Sequence, residues 1–501
     1  MLYCPPKIEG HPPAAGQLTA AGPHSKGEKT MEQTRLERDS IGEKQIPADA
    51  YYGIQSLRAL ENFSISGTRL HSEMIRSLAL VKRACAMANE RAGILSRPVA
   101  EAICWACDEI ARGRYHDQFI VDPMQGGAGT SMNMNANEVI ANVAIVHLGG
   151  RCGDYSLVHP NDHVNCGQST NDVIPTAGKM TALVLMRRLE KSLGDLVEAL
   201  EDKAVEFDPI LKMGRTQLQD AVPVRLGQEF HAYATSVRRG LARVHHSSHE
   251  LLNINMGGTA IGTGINADNA YFSAVTEILG AIMDADFRQA DDLIDSTQNV
   301  DCFAAVSSAV RNCALALSKI ANDLRLMSSG PRTGFGEINL PARQNGSSIM
   351  PGKVNPVIPE LVTQVAFRVA GNDMTISMAV EAGQMELNAF EPVIFRCLFQ
   401  SVDELTHAVQ TFTDNCVRGI TANADRCEEL LESSVGIVTA LCPYIGYSKA
   451  AALAKDALRQ KVPVRQLALD QGLMTPDQLS SVLNPADMTS PGIPGKGEPG
   501  Q

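Results

Sequence analysis

Aromatic side chains are scarce: they make up 5% of the 501 residues, and Trp105 is the single tryptophan. Strands favour aromatic and β-branched residues, so this scarcity, beside abundant Ala, Leu, Met and Val, points away from β-sandwiches and toward packed helices. No run approaches the ~18 consecutive apolar residues that span a membrane. Residues 1–30 hold no apolar core of the ~7–15 residues a secretory leader needs. The twelve cysteines lack metal-site spacing: only Cys104 and Cys107 form a CxxC, inside the apolar run AEAICWACDEIA. No second pair accompanies them, so free buried thiols are expected, and with them a reducing, cytoplasmic location. Positive charge is in deficit. A net charge of −12 and a pI near 5.5 argue against nucleic acid or an anionic membrane as partner. A locally positive site for a small anionic substrate stays open. There is no GxSxG hydrolase elbow and no repeat at a period of about 20–50 residues.

What the chain has is helical periodicity. Over 178–207, Leu189, Leu193, Leu196, Val197 and Leu200 fall on one stripe. Over 303–328, Val306, Val310, Cys313, Leu317, Ile320 and Leu324 alternate in steps of four and three, the seam of a bundle. Helices are also expected over 72–112 and 227–253, and from a start at Pro359-Glu360 to about 420 with one break at Pro392. The predicted fold is all-α, in three domains. Residues 1–30, rich in Pro, Gly and Ala, form a disordered tail or precede a true start at Met31; residues 31–170 make an N-terminal domain. Residues 171–427 make a long central bundle, and 428–501 a small helical domain with a disordered end.

Four polar patches interrupt the helical text. Three sit near expected helix starts: Thr130-Ser131 with Asn133 and Asn135; Ser169-Thr170-Asn171; and Arg215-Thr216-Gln217. Each alone is explained by capping, because Ser, Thr and Asn are preferred N-caps. Together they also suit anion binding at helix N-termini. The fourth is the loop GSSIMPGKVNPVIPE, residues 346–360. It is not a P-loop: five residues separate Gly346 from Gly352, and Val354 stands where Ser or Thr would hold magnesium. Its chemistry is that of a serine made basic by nearby cations or amides, beside a lysine able to clamp a carboxylate. Base plus carboxylate clamp describes carbanion-type elimination.

GSSIMPGKVNP resembles the signature loop of the aspartase/fumarase superfamily. GTSMNMNANEVIAN, HPNDHVNCGQSTND, GRTQLQDAVP and GGTAIGTGIN recur in the family's order, so the resemblance covers about residues 35–485. Within the superfamily, MQGGAGTSMNMN and NPVIPE are similar to the aspartase branch, where fumarases carry GSGTQ and NPTQ. Gln217 stands where fumarases and some aspartases carry His. The resemblance implies reversible elimination of ammonia from L-aspartate to give fumarate, through an aci-carboxylate intermediate. Ser347 would take the proton, Ser348 and its backbone would steady the substrate, and Lys353 and Asn355 would hold the developing aci-carboxylate. Thr130, Ser169, Thr170, Asn171, Thr216 and Gln217 would orient the other groups. It further implies a homotetramer with a core of about twenty helices and active sites shared between subunits. No organic cofactor and no metal ligand are expected, with divalent-metal activation left open. His159, Asn161 and Asp162 match an accessory anion site of fumarases, and Arg58 lies in a stretch similar to the family's TxRAxxNF. Alternative functions are a fumarate hydratase, a lyase of a related N-substituted aspartate, or a catalytically silent helical structural protein.

Overall fold

A computed structural model of the protein describes residues 33–346 and 348–496. The N-terminal tail, the last five residues and Ser347, the expected base, lie outside the described residues.

Among the described residues, two hairpins and sixteen α-helices organise the chain. Strands β1 (Thr34–Asp39) and β2 (Gly42–Pro47) pair antiparallel, then α1 (Ile54–Asn62), α2 (Ser72–Arg91), α3 (Arg97–Ala111) and α4 (Thr130–His147) follow. The frame is α5, Thr170–Phe207, whose 38 residues make a rod of about 57 Å. A hairpin of β3 (Leu211–Thr216) and β4 (Gln219–Arg225) turns the chain into α6 (Leu226–Ser248), which returns along α5. Next come α7 (Asn269–Met283), α8 (Leu293–Gln298), α9 (Asp301–Met327), α10 (Val357–Glu381) and α11 (Glu391–Asn415). Shorter helices close the chain: α12 (Ala424–Ser433), α13 (Cys442–Ile445), α14 (Tyr447–Gln460), α15 (Val464–Asp470) and α16 (Pro476–Val482).

Both predicted stripes are buried in one core that runs from Ala59 to Ile420, except that Val197 is only half-buried. Gly178 allows α5 and α11 to touch, since a Cβ there would stand 2.3 Å from the Phe395 ring. A second apolar cluster, from Ala440 to Leu483, belongs to the short C-terminal helices. Beyond it the chain is held by Tyr444 Oη donating to Pro494 O at 2.7 Å.

The stretch expected as one helix over 72–112 is two, α2 and α3, parted at residues 92–96, and the later break falls at residues 382–390, so that Pro392 lies in the first turn of α11, where its missing N–H is no loss. Three further boundaries differ from the periodicity. First, α5 starts eight residues before position 178, in text that reads as polar loop. Ser169 and Asp172 form a capping box there. Pro175 then removes the N–H that would reach Asn171 O, and Asn255 Nδ2 donates to that oxygen instead, at 3.0 Å. Second, α10 starts at Val357 with Pro356 as N-cap, so Pro359 is the third helical residue, where its missing N–H is still no loss. Third, residues 212–223 are a β-hairpin. Periodicity hides it because its strands are short and half exposed.

Candidate active site

Two groups of candidate residues form, one at each end of α5. At its N-terminal end, Ser169 caps the helix by accepting from Asn171 N at 3.2 Å, and its own N–H donates to Asp172 Oδ1 at 2.9 Å. Thr170 Oγ1 accepts from Asn133 Nδ2 at 3.2 Å, which leaves its hydroxyl proton available to an incoming carboxylate. Asn171 donates to Ala260 O at 2.7 Å and keeps its Oδ1 as an acceptor. Thr130 opens α4 behind Gly129, a left-handed N-cap at φ 83°, and is exposed. It spends its proton on Gly127 O at 2.8 Å and so offers lone pairs, suited to an ammonium. Two of the polar patches and the GGTAIGTGIN segment therefore meet here.

Beneath them lies a buried network that the polar patches alone do not announce. Lys82, fully buried on α2, donates to Asn165 Oδ1 at 2.8 Å and Gln168 Oε1 at 2.9 Å. Asn165 Oδ1 also accepts from Asn133 and Asn137 at 3.2 Å each. Burial holds the Lys82 ammonium down at about 8, against the pull of Cys85, Asp172 and Cys107. Burial pushes Asp172 up to about 6, opposed by N–H donors from Ser169, Thr259 and Gly257 and by the Lys82 charge. The signal in the sequence is a lysine on the buried face of LALVKRACAMAN.

At the other end, Thr216 and Gln217 sit exposed at the tip of the β3–β4 hairpin. Gln217 and Leu218 take φ of 55° and 61°, left-handed values that side chains other than Gly and Asn rarely adopt. Such strain persists only where the surroundings impose it. Here Glu337, fully buried, meets Arg215 at 2.7 Å and Lys212 at 3.0 Å, and Arg215 lies over the Phe335 ring. The loop leaves α9 and enters α10 at this end, where Arg325 approaches Glu360 at 3.9 Å. Gly346 N donates to Lys353 O at 3.0 Å, closing the loop into a hairpin-like bight. A Cβ on Gly346 would stand 2.2 Å from that oxygen, so only glycine fits. Ser348 and Lys353 are exposed and Asn355 is half-buried.

The remaining motif residues are engaged in structure. His159 Nδ1 accepts from Asn161 N and Asp162 N at 3.2 and 3.1 Å, capping a short π-turn. Arg58 grips Asp39 through two hydrogen bonds of 2.7 and 2.9 Å. The eleven described cysteines are free thiols, and burial raises both Cys104 and Cys107.

Comparison with known proteins gives the same outline. A family model described as Lyase matches residues 42–371, and one described as Fumarase C C-terminus matches 437–490. An aspartate ammonia-lyase from a Bacillus species is 53% identical, covering 92% of this chain and 99% of its own. The aspartate ammonia-lyase of Bacillus subtilis strain 168 is 52% identical, covering 93% and 98%. A solved structure described as a fumarate lyase:delta crystallin from Brucella melitensis bound to cobalt superposes with a TM-score of 0.89. It is 49% identical and covers 92% of this chain and 100% of that one.

Proposed function

The chain belongs to the aspartase/fumarase lyase superfamily, and we propose that it catalyses the reversible elimination of ammonia from L-aspartate to give fumarate. One observation carries the reading: the relatives that match it over nearly their whole length at above half identity are aspartate ammonia-lyases.

In this reading a base takes a proton from the carbon β to the amine. The electron pair moves into the adjoining carboxylate to give an aci-carboxylate, and its return expels the amine as the double bond forms. Ser347 is the base. Lys353 and Asn355 hold the carboxylate that gains charge, with Ser348 beside them. Ser169, Thr170 and Asn171 at the α5 N-terminus, with Thr130, Thr216 and Gln217, orient the remaining carboxylate and the amine. No organic cofactor enters.

Thr170 opens α5 and Thr216 lies on the hairpin past its far end, so the 38-residue rod of about 57 Å stands between them, beyond the reach of one small dicarboxylate. That separation supports a homotetramer in which each site takes its two halves from different subunits. The exposed face of α10 supports it as well. Phe367, Met374 and Met378, at steps of seven and four, are 66%, 64% and 67% exposed, the stripe by which another copy's helix would be met. Among the described residues no helix is long and apolar enough to cross a membrane, and the free thiols support a reducing, cytoplasmic setting.

The test is a side-by-side ultraviolet assay of fumarate formation from L-aspartate and from L-malate. Absorbance should rise with aspartate and stay flat with malate. The opposite pattern would replace the lyase by a hydratase.

A further inference from the structure

Near the midpoint of α5, about 30 Å along the rod from Thr170, the last turn of α6 and its C-cap residue carry two histidines that the elimination chemistry does not use. His245 and His249 stand one helical turn apart and project to the same side. Their Nε2 atoms are 3.3 Å apart and their rings are tilted at 79°. Glu190 on α5 lies 3.3 Å from His245 Nδ1 and also meets Ser248 Oγ. A carboxylate at Nδ1 fixes the tautomer with the proton on that nitrogen, leaving Nε2 as a lone pair that faces His249. His249 Nε2–H then donates to that lone pair.

We propose that His245 and His249 form a two-imidazole site for a tetrahedral divalent transition metal of the zinc class, with Glu190 as the orienting carboxylate. Two nitrogens bound at about 2.0–2.1 Å to a tetrahedral ion lie about 3.3 Å apart, which is the separation already present. A square-planar or octahedral ion needs adjacent ligands closer, at about 2.9 Å. The metal takes both Nε2 lone pairs once the His249 proton moves from Nε2 to Nδ1, and water fills the other two positions. A carboxylate–histidine–metal relay is thereby complete on the His245 side. The negative end of the α6 macrodipole adds attraction for a cation. Among the described residues no group of three or more His, Cys, Asp and Glu is arranged to hold an ion, so the site rests on two protein ligands.

The experiment titrates the full chain, free of any histidine tag, with cobalt(II) chloride and then zinc(II) chloride. One cobalt per chain, with the intense visible bands of a tetrahedral ion and displacement by zinc, is the expected result. His245→Gln and His249→Gln should each abolish those bands, while Glu190→Gln should weaken binding about 10–100-fold. In chelator, all three should eliminate ammonia from aspartate at the parent rate, because the pair lies far from the candidate site. Absence of binding in the parent, or undiminished binding in either histidine variant, overturns the proposal.

Discussion

At the N-terminal end of α5, the candidate site groups stand on a buried polar lattice: Thr170 on Asn133, Asn133 on Asn165, Asn165 on Lys82. At the C-terminal end the corresponding groups sit on exposed turns, with Lys353 on a glycine-closed bight and Thr216 beside a strained hairpin tip. The contrast is between a part that must hold still and a part that must arrive. A binding platform gains from side chains fixed before substrate enters. A base that meets a carbon-bound proton gains from a loop that closes after the substrate is seated. On the proposed reading one chain supplies both kinds of half-site, with the length of α5 between them.

The largest effect expected from breaking this division is at the loop. Ser347→Ala should lower kcat by a factor on the order of 10²–10⁴ while gel filtration shows an unchanged assembly. Near-parent turnover would remove Ser347 as base. The shared-site reading is sharpened by mixing two inactive variants, Thr170→Ala and Ser347→Ala, through dissociation and reassembly. Sites that draw their halves from different subunits will sometimes receive two intact halves, so activity should reappear. If each chain built its own site, the mixture would stay inactive.

Next in size is Lys353→Ala. Loss of a charge-assisted contact, about 1.5–3 kcal/mol, should raise KM for aspartate roughly 10–150-fold. The melting temperature should not move, because Lys353 is exposed. A fall in melting temperature comparable to that of a core variant would make the residue structural.

Sequence made the bundle legible because the stripes on α5 and α9 are long and regular, and an apolar period sustained that far marks a helix packed along its whole length. The candidate site was legible as residue types, since hydroxyls and amides at helix starts announce themselves. Its foundations were not. Lys82 reads as one more charge in a helix until α4 and the 160–168 turn fold over it. Asn255 reads as loop until Pro175 leaves Asn171 O in need of a donor. Both are pairings across long sequence separations, invisible to any window. Asn255→Ala tests the second: a buried carbonyl left without its partner should cost about 1–3 kcal/mol, measured by chemical denaturation.

The most specific effect is a pH dependence at Lys82. Burial lowers its folded-state value from 10.5 to about 8, so between these limits the unfolded chain binds more protons than the folded one. Stability contributed by this group is therefore present above about 10.5 and is lost as pH falls toward 8, at up to ~1.4 kcal/mol per pH unit. Lys82→Met removes the titration but also strands Asn165 and Gln168, so its absolute stability mixes two effects. The difference between parent and variant separates them. Across pH 8 to 10.5 the parent should gain on Lys82→Met in denaturant midpoint, whereas the cost of the stranded amides stays constant. A difference that is flat or reversed over that window would mean that the platform end holds its lysine as comfortably charged as water does. The rigid half of the comparison would then need another origin.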